Sequence, residues 1–208
     1  GNEIVFNDGS LDIDFRIESD GDANLFFCDG NESIVALGNN ASYTVGGFKN
    51  KLQVEGTGAV GSSISVTRNT NDTNPAYLQF GKSRGTSVGS NTIVQDDDEI
   101  AQITFNAADG TNRDTPAASI RCAIDGTPGE NDMPGRLMFH TTADGAASST
   151  ERLRINAEGN ILVGLTSRLF YNHTGTINVS AAGDAGIKVN RSTDTGNFIA
   201  MGYAGTQR

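Results

Sequence analysis

The sequence predicts an all-β chain, on three observations. The stretch Leu11–Glu18 alternates apolar and charged residues with a period of two, the pattern of a strand with one buried and one solvated face. Asp-Gly pairs recur between such stretches and are typical of hairpin turns. No segment shows a helical period of useful length. We therefore expect many short strands joined by turns.

Further strand-like runs follow the first one along the chain. They are Asn24–Cys28, Ser33–Leu37, Ser62–Thr67, Ala76–Phe80, Ile100–Asn106, Ala118–Ile124, Arg136–His140, Glu151–Ile155, Asn160–Val163, Thr176–Val179, Ala185–Asn190 and Asn197–Met201. The turn signals are Asp8-Gly9, Asp29-Gly30, Asp109-Gly110, Asp125-Gly126 and Asp144-Gly145. Because glycine adopts a positive φ without strain, these pairs suit hairpin turns of the primed types.

Composition limits how the chain can build a core. It has 208 residues, of which 26 are Gly, 36% are hydrophobic and none is Trp. That apolar content is low for one compact core, although the apolar residues are arranged in strand-like runs. A chain of this kind can complete its core with neighbouring subunits.

Charge excludes several classes of function. The formal net charge is −10, which argues against nucleic acid and against an anionic membrane surface as partners. No apolar run approaches the roughly 18 residues of a membrane helix, and we find no signal peptide. The chain begins without Met and ends inside a repeated pattern, so we expect it to be part of a longer protein.

Two parts of the chain repeat each other. The matched pairs of segments are Phe27–Gly38 with Arg154–Gly164, Ser63–Arg68 with Gly186–Arg191, and Tyr77–Gly81 with Phe198–Gly202. They predict a first β module over residues 1–88, a hairpin-rich insert over 89–150 and a second, truncated copy over 151–208. Tandem modules are typical of elongated proteins, and chance similarity is the alternative interpretation.

The stretch Gly126–Gly164 carries a specific motif. Its blocks are Gly126-Thr127-Pro128-Gly129, Asn131-Asp132-Met133-Pro134-Gly135-Arg136-Leu137, Thr141-Thr142-Ala143-Asp144-Gly145, Thr150-Glu151-Arg152-Leu153-Arg154-Ile155 and Gly159-Asn160-Ile161-Leu162-Val163-Gly164. In kind and order they resemble a segment of bacteriophage tail-fibre proteins. This resemblance implies a virion attachment fibre with no chemistry or cofactor of its own.

The resemblance also implies a homotrimer, because phage fibres wrap three parallel chains about one axis. The runs Leu25–Cys28 and Ile34–Leu37 are apolar on both faces and need cover on both sides. Composition alone permits a trimer, and a monomeric β-sandwich is the alternative. The fold class that we predict is thus an elongated, trimeric all-β fibre of short antiparallel strands and hairpins.

The predicted function is a structural fibre segment that supports or performs attachment to a host cell, through a receptor that we expect to be a surface glycan. The partners would be two identical chains and other tail or baseplate proteins. A tailspike with depolymerase activity is the first alternative, and a capsid-attached fibre or surface adhesin is the second. Glycan cleavage would need two carboxyl groups about 5–10 Å apart, and sequence cannot place Asp97, Asp125, Asp132 or Glu151 so.

Tyr43, Tyr171 and Tyr203 are the candidate glycan-binding residues. Each lies in a polar stretch where an aromatic ring could stack on a sugar, and packing between modules is the alternative. We predict no catalytic residue and no metal ligand. The acidic run Asp96–Glu99 lacks the ligand spacing of a calcium loop and is expected to be a solvated loop, and Asp20–Asp22 a turn.

The remaining polar and sulfur-containing residues are expected to be structural. His140 and His173 lack the spacing of a zinc site, and Cys28 and Cys122 should be small buried side chains, with one disulfide as the alternative. The loop Gly126–Gly135 should be ordered by its Pro and Gly residues. We expect the arginines that follow it, Arg136, Arg152 and Arg154, to pair with Asp132 or Glu151.

Overall fold

The computed structural model describes residues 13–167 and the strand Ile177–Val179. Every regular element in these residues is a strand, as the sequence predicts. The strands are β1 Phe15–Ser19, β2 Asp22–Asp29, β3 Ile34–Leu37, β4 Thr44–Val45, β5 Phe48–Lys49, β6 Leu52–Val54, β7 Glu99–Asn106, β8 Pro116–Ile124, β9 Gly135–Thr141, β10 Thr150–Ile155, β11 Ile161–Val163 and β12 Ile177–Val179.

Four strands form the first sheet, in the order β1-β2-β3-β6. Strands β1 and β2 are joined at the Asp20-Gly21 turn, so the turn predicted there is confirmed. Strand β3 pairs antiparallel with β2 and parallel with β6. Phe27, Ile34 and Ala36 form the small buried cluster on one face of this sheet.

Six strands form the second sheet, in the order β12-β11-β10-β9-β8-β7. Strands β7 to β11 are an antiparallel meander, and β12 lies parallel to β11. Three Asp-Gly signals lie in the connections of this meander, each with its glycine at positive φ: Gly110, Gly126 and Gly145. These connections are longer than the two-residue primed turns that the dipeptides suggested.

The matched segments Phe27–Gly38 and Arg154–Gly164 have the same local architecture. In each, an antiparallel hairpin is followed by a third strand that pairs parallel with its second strand. Ser33 stands directly before β3, Gly159 stands two residues before β11, and both have positive φ. After the second strand, the N–H of Gly38 donates to Asn24 O and that of Gly164 to Arg152 O, both at 3.0 Å. Two parallel strand pairs thus accompany the antiparallel strands that the sequence predicts.

Two predicted strands are wrong for the isolated chain. Ser62–Thr67 and Ala76–Phe80 form no strand, because no neighbouring segment of the described chain lies beside them to complete a ladder. In the described part of the first run, from residue 13, the strand begins at Phe15, and its apolar Ile17 stays exposed. The predicted runs Ala185–Asn190 and Asn197–Met201, and with them the downstream half of the repeat, lie outside the described residues.

Short strands β4 to β6 escaped the sequence analysis. Strands β4 and β5 form a two-residue hairpin through Gly46 and Gly47, which have φ of 65° and 80°. Two consecutive residues at positive φ define a primed turn that favours glycine at both positions. The Gly-Gly pair was therefore a usable hairpin signal.

Candidate functional site

Residues 56–82 are the most exposed part of the described chain. All of them are exposed, and none belongs to a strand. Ile64 is 73% exposed and Leu78 is 74% exposed, and Val66, Tyr77 and Phe80 are also more than half exposed. These apolar side chains lie on the two runs that carry the strand pattern, so we call residues 56–82 the uncovered segment.

The second sheet presents a continuous apolar face. Cross-strand partners place two rows of side chains on it: Ala101, Cys122, Leu137, Ile155 and Ile161 in one, and Ile103, Ile120, Phe139, Leu153 and Val163 in the other. All of these side chains are half-buried or exposed. Directly opposed residues share one face of a sheet, so these rows form a surface that the described chain leaves partly open.

The first sheet repeats this arrangement on a smaller scale. Phe15, Cys28, Val35 and Leu52 are opposed across its four strands, on the face away from the buried Phe27 cluster. Cys28 and Cys122 are free thiols and are half-buried rather than buried, because each lies on an incompletely covered face. The described part of the chain has only ten buried residues, too few for a self-contained core.

Tyr43 lies between the first sheet and the β7–β8 connection. The guanidinium of Arg113 stands 5.9 Å from the centroid of the Tyr43 ring and pairs with Glu55 at 3.1 Å. The ring is 42% exposed and lines a groove of about 970 Å³ together with apolar side chains of the first sheet, among them Phe26 and Leu37. The other two predicted tyrosines, Tyr171 and Tyr203, lie outside the described residues.

A second, smaller cleft lies between the β4–β5 hairpin and strand β7. Its volume is about 330 Å³, and it is lined by Phe48, Asn50, Gln102, Thr104 and other residues of the hairpin and the β7–β8 connection. The Phe48 ring is 72% exposed. The sequence analysis missed this cleft because Phe48 lies in an unrecognised hairpin and its polar neighbours come from a distant strand.

The aspartates just before β7 form hydrogen bonds and ion pairs with other parts of the chain. The Asp96 carboxylate accepts the N–H of Gly126 at 2.7 Å, and Asp97 accepts from Arg136 at 2.6 Å. Both oxygens of Asp98 accept from Arg84, at 2.6 and 2.8 Å, and this pairing lowers the pKa of Asp98 from 3.8 to about 2. In the described part of the chain no three metal-ligating side chains lie close enough to hold an ion.

Arg136 closes the loop that carries the fibre-like motif. Its Nη1 donates to Ile124 O at 2.8 Å and to Asp125 at 3.1 Å, and its Nη2 donates to Asp97. Burial alone would lower the pKa of Arg136, but these carboxylates raise it. The expected pairing with Asp132 is wrong, since Asp97 and Asp125 lie closer in the fold.

The other expectations for this loop have separate outcomes. Arg154 does pair with Glu151, through two bonds of 2.6 and 2.7 Å. Arg152 donates instead to Thr141 Oγ1 at 3.0 Å. The loop is closed by mutual backbone hydrogen bonds between Gly129 and Asp132, of 2.8 and 3.2 Å, and its flanking strands β8 and β9 pair antiparallel as predicted.

His140 lies on the polar face of the second sheet. Both of its ring nitrogens are buried without a hydrogen-bond partner in the described structure. Burial lowers its pKa, and the nearby Arg121 adds to that effect. A side chain in this state is an uncharged packing element at neutral pH, and His173 lies outside the described residues.

The chain is similar in fold to a solved phage protein. A structure of the carboxy-terminal domain of the bacteriophage T5 L-shaped tail fibre has a TM-score of 0.52 and 13% identity, over 82% of this chain and 68% of that one. A second structure, which includes the intramolecular chaperone domain, has a TM-score of 0.41 and 12% identity over 49% of this chain, which spans 24% of that longer chain. The chain therefore has a tail-fibre-like, all-β fold.

No family model and no curated protein matches the chain. Among the described residues, no helix is long and apolar enough to cross a membrane.

Proposed function

We propose that three copies of this chain form a segment of a bacteriophage tail fibre, and that this segment supports or itself performs attachment to a glycan on the host cell. The observation that carries the proposal is the uncovered segment, which has the alternation of a strand but no partner within the described chain. The number three rests on the resemblance of the Gly126–Gly164 motif to phage fibre proteins.

Energetics favour covering the uncovered segment. Burying one large aliphatic or aromatic side chain contributes about 1.5–3 kcal/mol. Ile64, Val66, Tyr77, Leu78 and Phe80 all stay more than half exposed in the single chain. Three copies side by side would cover these side chains and pair the free backbone groups of the same residues.

The two sheets offer matching surfaces for the same assembly. Each has an apolar face that is half-buried at best, and contiguous exposed apolar patches are typical of interaction surfaces. Strands β1, β6 and β7 are edges of these sheets and present unpaired backbone groups. An assembly of identical chains would cover both the faces and the edges.

The same proposal gives the protein its place and its partners. As a fibre segment it would belong to the virion, joined to other tail or baseplate proteins, and would meet a receptor at the bacterial surface. We retain the modular division into residues 1–88, 89–150 and 151–208. The shared architecture of Phe27–Gly38 and Arg154–Gly164 supports it, and stacked modules suit a rigid rod.

We propose a mechanical and adhesive role rather than a catalytic one. Asp97 and Asp125 both bind Arg136, and Glu151 binds Arg154 through both carboxylate oxygens. These carboxylates thus hold the fold together. Asp97 and Asp125 line an open cleft of about 450 Å³, but both are bound to Arg136, whereas a glycosidase would need the pair available to a substrate. Incubating the assembled fibre with host polysaccharide should release no oligosaccharide.

Light scattering on the full-length fibre protein tests the assembly, and a mass of three chains is expected. Fluorescently labelled fibre should then adsorb to cells of the host strain, and the same fibre should not adsorb after the surface polysaccharide is stripped. A stable, folded monomer would contradict the trimer. Unchanged adsorption to stripped cells would contradict the glycan receptor.

A further inference from the structure

The cleft between the β4–β5 hairpin and strand β7 combines an exposed aromatic ring with uncharged polar groups. Phe48 stands on one side of it, and Asn50, Gln102 and Thr104 supply two amides and a hydroxyl. It lies on the opposite face of β7 from the apolar rows, since Gln102 and Thr104 alternate with Ala101 and Ile103. Neighbouring chains that cover the apolar face therefore do not by that contact cover this cleft.

The Phe48 ring has no evident structural task in the described chain. It is 72% exposed at the tip of a two-residue hairpin, where a polar residue would be better hydrated. The face of an aromatic ring carries negative quadrupole density and attracts polarised C–H groups. The C–H face of a sugar ring presents such groups, so Phe48 suits a stacking platform.

The polar groups of the cleft suit hydroxyl groups. An amide side chain offers donors and acceptors together, and a threonine hydroxyl can act as either. A sugar hydroxyl has the same dual character. Asn50, Gln102 and Thr104 can therefore each exchange hydrogen bonds with neighbouring hydroxyls of one ring while the ring face rests on Phe48.

The cleft is held in shape before any ligand arrives. The N–H of Gly46 donates to Arg113 O, and that of Gly47 to the Asp114 carboxylate, both at 3.0 Å. Asn106 Nδ2 donates to Asp114 O at 3.2 Å. These bonds fasten the hairpin to the β7–β8 connection, and a preformed site loses little entropy on binding.

The charge and volume of the cleft limit the class of sugar that it can bind. None of the residues that line the cleft is basic, and the carboxylate of Asp114, the only charged group there, already accepts from Gly47. An acidic sugar would find no cation among the lining residues, the neighbouring Lys49 is paired with Glu32 at 2.6 Å, and the chain as a whole carries a net charge of −10. The volume of about 330 Å³ is at the lower end of ligand pockets.

We propose that this cleft is a subsite for one or two neutral hexose rings of a surface glycan. The proposal rests on the receptor role given above and adds its location, its residues and the class of sugar. One shallow subsite binds weakly, and three copies on one fibre raise the overall avidity through their effective concentration.

The test uses the full-length fibre and neutral trisaccharides of glucose, mannose and galactose as probes. Saturation-transfer NMR should show binding of at least one probe, strongest at the protons of one sugar face. Phe48→Ala should weaken that binding about three- to tenfold. The double variant Gln102→Ala with Thr104→Ala should weaken it by a similar factor or more.

Two controls keep the result specific. Val88→Ala removes an even more exposed apolar side chain, which lies outside the cleft, and should leave binding unchanged. Tyr43→Ala tests the larger groove. Light scattering should show that each variant has the mass of the wild-type assembly.

Three outcomes would overturn the subsite. One is that no probe binds the wild-type fibre. Another is that a probe binds equally well to the cleft variants, or is lost only in Tyr43→Ala. The third is that Phe48→Ala dissociates the assembly, which would make the ring an assembly contact. In each case, adsorption of the wild-type fibre to host cells would show whether the receptor role itself still stands.

Discussion

Strand β9 and the run Ala76–Phe80 have nearly the same pattern, but only one is a strand. Both place an aliphatic and an aromatic residue in a short extended stretch: Leu137 and Phe139 in β9, Leu78 and Phe80 in the other. Strand β9 is paired on both sides, by β8 and β10, whereas Ala76–Phe80 is exposed and unpaired. The difference lies in the neighbours and not in the residues themselves.

Connections explain which strands find neighbours within the chain. The β7–β11 meander has an Asp-Gly pair in three of its links, each with a glycine at positive φ, so every strand folds back beside the previous one. The uncovered segment has no such return on either side of its apolar runs. A strand pattern without a returning partner points to pairing between chains.

The largest effect should come from breaking the uncovered segment. Ile64→Asp places a charge where we expect contact with neighbouring chains, and an unpaired buried charge is strongly unfavourable. The variant should lose the trimer in light scattering. Ser65→Asp, on the adjacent and opposite-facing position, is the matched control and should stay trimeric. Equal behaviour of the two variants would contradict an apolar interface at Ile64.

The rate of thiol labelling should show whether the apolar faces of the two sheets are covered by neighbouring chains. Cys28 and Cys122 lie half-buried on the apolar faces of the two sheets. In the proposed fibre, both should react slowly with a maleimide because neighbouring chains would cover them. In the Ile64→Asp variant they should react many times faster. Fast labelling in the intact fibre would show that the sheet faces are not the covered surface.

A smaller effect on stability is expected within the second sheet, whose strands pair with one another in the same chain. The Arg136 side chain is only 12% exposed and donates to Ile124 O, Asp125 and Asp97, a fork that lysine cannot reproduce. Arg136→Lys should destabilise the fold by about 1–3 kcal/mol, read as a lower midpoint of denaturant unfolding. Arg152→Lys is the control, since the exposed Arg152 has one side-chain bond, to Thr141.

The backbone geometry of the Gly126–Gly135 loop shows which of its two terminal glycines is more sensitive to substitution. Gly135 has an ordinary φ and room for a methyl group, with Ala123 O at 3.7 Å from an added Cβ, whereas Gly126 has a φ of 135°. We therefore expect Gly126→Ala to lower the melting temperature more than Gly135→Ala does. Equal melting of the two variants would show that backbone strain at Gly126 is not what matters.

The smallest effect should be the pH dependence of stability that comes from Asp98. This residue lies just before β7 and binds Arg84, which follows the uncovered segment. Folding lowers the pKa of Asp98 from 3.8 to about 2. Asp98 therefore stabilises the fold above pH 4, and this stabilisation is lost as the pH falls towards 2. Asp98→Asn should melt slightly below wild type at pH 6, and this gap should close near pH 2. The control is Asp144→Asn, on the exposed β9–β10 loop, measured over the same pH range.

Several elements could be predicted because their signals are local. Strands β2, β3 and β7 to β11 match their runs within a few residues, since alternation and turn chemistry act between neighbours in sequence. The contacts of Arg136 could not be predicted, because Asp97 comes near it only when β7, β8 and β9 lie side by side. Phe48 was missed for the same reason, since its polar neighbours belong to β7.

The sequence by itself determined the all-β class, the antiparallel pairing of β8 with β9 and the resemblance to phage fibres, because period-two alternation and glycine turns are properties of adjacent residues. Only the tertiary structure decided which strand-like runs pair within the chain, and that two of them, Ser62–Thr67 and Ala76–Phe80, do not. Backbone hydrogen bonds of a strand depend on a partner at about 4.8 Å, and a residue pattern cannot say whether that partner comes from the same chain. The uncovered segment is therefore the part of the chain for which we propose strand partners from neighbouring chains.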